Sequence, residues 1–289
     1  LHSSKGPSLT IIDGQNARRC MLINSGESNS TIVDGFTLTN GNSAASGAGG
    51  GLGCFASSPT IRNCVFSNNF ANWGGGANIN NDVLFSDCIF INNTAQHDGG
   101  GMYIGPGSSV LTNCSFIGNT TQQHYGGGIR TSDSTPSFID CQFENNHGDR
   151  WGGAIMNGGV SVATFEGCEF SGNSCGHLPG YDEAGGIYNQ HDGGGASSIV
   201  SNSVFCENTS EHITGSWADA GGNCFADTCD DCGSTCPADL NDDESVNVSD
   251  ILIVISVWGQ PGPLGDVDSS GLVDISDLLY VLNNWGGCE

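Results

Sequence analysis

Two oxygen-rich stretches carry the most specific chemical signal in this 289-residue chain. Residues 239–250 read Asp-Leu-Asn-Asp-Asp-Glu-Ser-Val-Asn-Val-Ser-Asp, and residues 266–277 read Asp-Val-Asp-Ser-Ser-Gly-Leu-Val-Asp-Ile-Ser-Asp. Side-chain oxygens stand at loop positions 1, 3, 5 and 12 of each: Asp239, Asn241, Asp243 and Asp250, then Asp266, Asp268, Ser270 and Asp277. Position 7 offers a backbone carbonyl, from Ser245 or Leu272, and position 9, Asn247 or Asp274, suits a water-mediated contact. A hard cation that takes about six to eight oxygens needs this spacing, because one turn of chain must reach it from several sides. The pattern predicts two Ca2+ sites. Glu244 stands where the sharp turn favours glycine, and Ser270 is a poorer ligand than aspartate, so both sites are expected to be weaker than a loop with the full set. An acidic solvated linker is the competing reading, and two matching loops in tandem argue against it.

The elements that must hold these loops follow them directly. Apolar segments at 251–258 and 278–285 are long enough for about two helical turns, and both end in Trp-Gly. Paired loop-helix units with aspartate at position 12 resemble a type I dockerin module over residues 239–286. The resemblance implies one calcium ion per loop. It assigns Asp239, Asn241, Asp243, the Ser245 carbonyl and Asp250 to the first ion. To the second it assigns Asp266, Asp268, Ser270, the Leu272 carbonyl and Asp277. It also implies docking to a cohesin-like protein. Cys236 and Cys288 bracket the module, where a disulfide would staple a domain too small for a good core. Cys229-x-x-Cys232, with Cys224 and Cys236, reads either as disulfide partners or as a zinc site without a nearby histidine pattern.

Charge divides the chain. Acids outnumber bases 31 to 6, for a formal charge of −25. All six bases (Lys5, Arg18, Arg19, Arg62, Arg130 and Arg150) lie in the first half of the sequence or just beyond it, whereas residues 228–289 hold 12 acids and no base. The reading is a domain at 1–227, a cysteine-rich linker at 228–238 and the calcium-loop module at 239–289. So acidic a chain repels phosphate backbones, which excludes nucleic acid as a partner. No apolar run is long enough to span a membrane. Fourteen cysteines suggest an oxidising, extracellular or cell-surface setting. The chain starts at Leu1 rather than at a methionine and shows no signal peptide, so it reads as processed or truncated.

The domain at 1–227 is a repeat. Cys64, Cys88, Cys114, Cys141 and Cys168 recur at a nearly constant interval. Three residues before each stands an apolar side chain, and two after it stand Phe66, Phe90, Phe116, Phe143 and Phe170. Weaker copies occur at Leu38 and Phe205. The residue between cysteine and phenylalanine varies freely, which is the in-out-in alternation of strands with one buried face. Five residues after the cysteine stand Asn69, Asn93, Asn119, Asn146 and Asn173, with Asn208 in the next copy. Asparagine tolerates left-handed turns, and its amide can bond the same amide one repeat away, so an asparagine ladder is expected at a corner. A repeat this short cannot bury its own face and must stack on its neighbours.

These columns resemble the right-handed parallel β-helix repeat family of secreted bacterial proteins, over residues 1 to about 227. The expected fold is therefore all-β: a right-handed parallel β-helix of about eight coils, followed by a small α-helical calcium-loop domain. The cysteine column reads as buried thiols rather than inter-coil disulfides, since in-register side chains point the same way. Just before the glycine clusters stand Trp73, Asp98, Tyr125 and Trp151, with Asn72, His97, His124 and Arg150 beside them. Trp73, Tyr125 and Trp151 either pack over the glycines or offer faces for sugar rings. The interruption at 174–184 reads as a surface loop. Few bases and no carboxylate pair on a coil face argue against a polysaccharide lyase or hydrolase.

The functional expectation is a non-enzymatic, extracellular rod whose last module docks it to a cohesin-like protein or, head to tail, to another copy of itself. The alternative is a polysaccharide-binding or polysaccharide-cleaving β-helix tethered through that module.

Overall fold

The computed structural model describes residues 1–45, 47–176, 184–190, 195–232, 238, 240, 241, 245–260, 265, 267 and 272–287. They fold as two units, Leu1–Asp227 and Thr228–Glu289.

The first unit is a parallel β-solenoid of about 7 turns. Strands of mostly three residues stack in register into sheets of nine, eight, eight and five strands, every one of them parallel to its neighbours. About eight coils were expected. Partial passes at both ends add strands to individual sheets without completing a turn. The five-stranded sheet, from Phe70–Trp73 to Ser174–Cys175, belongs to the middle coils only.

Short strands need sharp corners, and the sequence supplies them in two further columns. Asn63, Asp87, Asn113, Asp140 and Gly167, each just before a column cysteine, have φ between 50° and 62°. Asn68, Asn92, Gly118, Asn145 and Gly172 repeat the left-handed conformation five residues later, at 53–62°. Asparagine, aspartate and glycine occupy that region at least cost. The expected asparagine ladder is present, but its members are not the left-handed residues. Each follows one, and points inward.

Phe66, Phe90, Phe116, Phe143, Phe170 and Phe205 form a continuous ring stack inside the solenoid that ends on the exposed Phe225, with successive centroids 4.4–5.2 Å apart. Phe85, Phe138 and Phe165 from a second wall meet this stack edge-on. Rings in such files gain contact on both faces beyond the area they bury. Phe116→Ala, mid-stack and fully buried, is expected to cost about 4 kcal/mol by denaturant unfolding.

The five column cysteines are free thiols and buried. Each donates its S–H to the carbonyl two residues upstream, at 3.2–3.5 Å. Burial pushes a further core thiol, that of Cys54, up to about 12. Stability carried by that protonated thiol is complete below its ordinary value of 9.0 and is lost as pH rises from there toward about 12. Native protein at pH 8 is expected to leave Cys54 and the column unalkylated by iodoacetamide. Denatured, unreduced protein should label all six. Silence in the denatured sample would mean inter-coil disulfides.

Cys206, Cys224, Cys229 and Cys232 are disulfide-bonded, which removes the zinc reading for the last three. Cys236 and Cys288 lie outside the described residues, as does 177–183 of the long interruption.

In the second unit, helix α1 spans Val248–Ser256 and helix α2 spans Ile275–Asn283. A short antiparallel pair, Ser245–Val246 with Gly286–Gly287, ties its two halves together. Ala238, Val246, Val254, Val273 and Val281 form a small core. No helix among the described residues is long and apolar enough to cross a membrane.

Candidate functional site

The two helices of the second unit start three residues earlier than the apolar pattern suggests, and the cause is capping. Asn247 and Asp274 at loop position 9 are N-caps, accepting from the backbone N–H of Ser249 and Ser276. The position-12 carboxylates reach back in turn: Asp250 accepts from Asn247 N at 2.8 Å and Asp277 from Asp274 N at 2.7 Å. Each end is thus a reciprocal capping box. Asp250 Oδ1 also accepts from Leu240 N at 2.7 Å, tying the helix start to the beginning of its loop. Both carboxylates are completely buried. A buried carboxylate held by backbone N–H groups in front of a helix start is a preorganised oxygen donor. Ser245 lies in the short antiparallel pair, while Asn241 and Leu272 are exposed. Asp239, Asp243, Asp266, Asp268 and Ser270 lie outside the described residues, and of the expected ligands only Asn241, Ser245, Asp250, Leu272 and Asp277 are described.

The outer surface of these helices repeats as faithfully as the loops. Val248, Leu252, Ile255 and Trp258 recur in the second copy as Ile275, Leu279, Leu282 and Trp285. All eight are 46–59% exposed. Ordinary amphipathic helices turn such a stripe inward. Here each helix buries a valine, Val254 or Val281, and leaves its larger stripe in solvent.

In the solenoid one wall differs from the rest. On the other walls outward side chains such as Leu84, Ile89 and Ile199 are exposed. On the eight-stranded wall that follows the glycine clusters, the outward column Asn78, Tyr103, Arg130, Met156 and Tyr188 is largely covered. The cover is the corner itself. Gly74, Gly99, Gly126 and Gly152 have φ of 64–68°, and a Cβ on Gly99 would stand 2.3 Å from Met102 O. The chain therefore folds back sharply at each glycine, and the residues just before it lean over the wall. Tyr125 and Trp151 pack on Met156, Ala184 and Tyr188.

The corner rings form one file: Trp73, His97, His124, Tyr125, Trp151 and Tyr188, with successive centroids 4.9–5.4 Å apart. Trp73 has His97 on one face and Gly47 against its six-membered ring. Trp151 lies between Tyr125 and Tyr188. The rings thus cover one another. Asp98 interrupts the aromatic column, and the two histidines from the preceding column fill its place. Its carboxylate stands 3.7 Å from His124 Nδ1 and accepts from Tyr125 N at 3.3 Å. Burial pushes this carboxyl up, against the opposing charges of Arg130, His124 and His97. Sequence columns give no role to Arg130, Tyr103 or Tyr188, because the column they share has no common chemistry.

Compared with known families, the chain matches the Chlamydia polymorphic membrane protein repeat over residues 140–158. That stretch is one copy of the repeat, with Cys141, Phe143, Asn146 and the corner glycines Gly152 and Gly153. No curated protein and no solved structure matches the chain. The chain is a β-helix repeat protein.

Proposed function

We propose that this is a non-catalytic surface or secreted rod whose last module binds two calcium ions and docks it to a partner protein. The observation that carries the reading is the duplicated apolar stripe on α1 and α2, exposed in both copies directly behind the two acidic loops. Contiguous exposed apolar surface of this kind marks an interaction site. The repeat match to a polymorphic membrane protein and the disulfides support a surface location.

Charge favours a foreign partner over a second copy. The stretch 228–289 carries 12 acids without a base, and the stretch 1–227 carries the other 19 acids against six bases. Two copies repel, whereas a cohesin-like domain with an apolar face and a basic rim complements the stripe. Immobilised type I cohesin is expected to retain the full chain in calcium and release it on chelation. Leu252→Asp combined with Leu279→Asp should weaken retention by at least about tenfold, the size of a lost apolar anchor. Light scattering of the free chain in calcium should give a monomer mass. Calcium-dependent polymerisation would replace the foreign partner with head-to-tail self-assembly.

A further inference from the structure

Six asparagines stand in the pattern Asn-x-Ser/Thr: Asn29, Asn92, Asn113, Asn119, Asn208 and Asn247. The pattern is the acceptor for N-linked saccharides, but it also arises by chance, so exposure and a free amide decide which copy can serve. Asn119 and Asn208 are buried in the ladder, where the Nδ2 of each donates to a backbone carbonyl at 2.8 Å. Asn113 Nδ2 donates to Asp87 Oδ1 at 2.8 Å, and Asn247 Nδ2 to Ser245 O at 2.9 Å. Asn92 is exposed, but its backbone N–H is tied to Ile117 O of the next coil, and Thr94 Oγ1 lies 3.3 Å from Thr120 Oγ1. Lifting it toward an enzyme breaks bonds between coils.

Asn29 stands apart. It is exposed and lies in the loop 24–31, between the strands Met21–Ile23 and Ile32–Asp34 and outside every sheet. Neither its side-chain amide nor the Thr31 hydroxyl makes a hydrogen bond among the described residues. Ser28 O accepts from Thr31 N at 2.8 Å, so Asn29 and Ser30 form the tip of a tight turn. The base of the loop is fixed instead. Glu27 Oε2 accepts from Ser25 N and from Ser57 Oγ at 2.8 Å each, and Ser58 N donates to Glu27 O at 2.7 Å. The tip borders a cleft of about 510 Å³, lined also by Glu27, Ala56, Ser58, Asp82 and Leu84, so a saccharide has room beside the acceptor.

We propose that Asn29 is a modification site, the one copy of the pattern that the folded chain leaves open to N-linked saccharide. The donor is a saccharide carried on a lipid diphosphate, and an oligosaccharyltransferase joins the two. Asn29 Nδ2 attacks the anomeric carbon. The C–N bond forms as the C–O bond to the diphosphate breaks, and the lipid diphosphate leaves with that electron pair. Nδ2 gives up one of its two protons to a base of the transferase. The Thr31 hydroxyl, free of the protein, is the group by which the transferase grips the turn. The site rests on the surface or secreted reading of the chain and needs nothing from the calcium module.

The folded full chain is incubated with a purified single-subunit oligosaccharyltransferase that requires only Asn-x-Ser/Thr, and with a polyprenyl-diphosphate-linked oligosaccharide. Glycopeptide mass spectrometry reads the product, and an acceptor peptide in the same reaction shows that enzyme and donor work. One saccharide per chain is expected, on the peptide that carries Asn29. Asn29→Gln should abolish the addition. Thr31→Val should slow it about tenfold or more, the size of one lost hydrogen bond, and Thr31→Ser should not. The heat-unfolded, alkylated chain should gain further saccharides at Asn92, Asn113, Asn119 or Asn208, because only the fold closes them. No addition to the folded chain while the peptide is modified, or addition at Asn92 or Asn113 as fast as at Asn29, would overturn the site.

Discussion

Asn119→Ala is expected to destabilise the solenoid more than any other single polar truncation in it. Asn119 Oδ1 accepts from both Asn93 N and Asn93 Nδ2, at 3.0 Å each. Its own Nδ2 donates to Phe90 O at 2.8 Å and to Asn146 Oδ1 at 3.0 Å. The same four-bond unit runs along Asn69, Asn93, Asn119, Asn146 and Asn173 to Asn208. Removing one amide from the middle strands polar groups of two neighbouring coils where water cannot reach them. Each stranded group costs about 1–3 kcal/mol, so the sum is about 4 kcal/mol or more. Denaturant unfolding followed by far-ultraviolet circular dichroism should show it as a large fall in midpoint. Asn145→Gly, at the exposed left-handed position beside the ladder, should change stability by less than about 1 kcal/mol. Equal effects at the two positions would contradict the ladder's role.

Asp250→Ala carries the largest expected effect in the second unit. It orphans the backbone N–H groups of Leu240 and Asn247 and, if the proposed calcium site forms, removes its position-12 ligand, which can contribute two oxygens. Loss of the capping box and of two charge-assisted bonds is worth about 3 kcal/mol, comparable to all the stability a core of five small residues can supply. Helical circular dichroism should disappear while the β signal of the solenoid persists. Asp250→Asn separates the two roles. It keeps an acceptor for one backbone N–H, so the calcium-free module should suffer less than with alanine, yet calcium affinity should fall by about as much. Ser270→Ala should be milder than either, since a hydroxyl is a weak ligand.

What the sequence made legible is what repetition makes uniform. Cysteine, phenylalanine and asparagine columns demand the same side chain at each coil because each stacks on its own kind, so their period exposes both fold and register. Columns that change chemistry between coils stay hidden. One inward column reads Cys54, Ile79 and Ile104 in the early coils and turns into Thr131, Asn157 and Asn189, a second buried ladder linked at 2.9 and 2.8 Å. Arg130 stands likewise in a column of Asn78, Tyr103, Met156 and Tyr188, whose covering depends on how far the glycine corner folds over, which spacing does not encode. His97 and His124 enter the ring file only because Asp98 leaves a gap in the adjacent column. In the second unit the two loop-helix repeats were legible in their spacing. The helix starts were not, because position 9 and position 12 serve as caps and pull α1 and α2 back into the loops.

Calcium titration of the metal-free full chain by isothermal calorimetry, with helical circular dichroism recorded in parallel, tests the central claim most directly. The account predicts heat that saturates at two ions per chain, a gain in helical signal that chelator reverses, and a solenoid signal that does not change. A flat titration, with helical signal indifferent to calcium and to chelator, would contradict it.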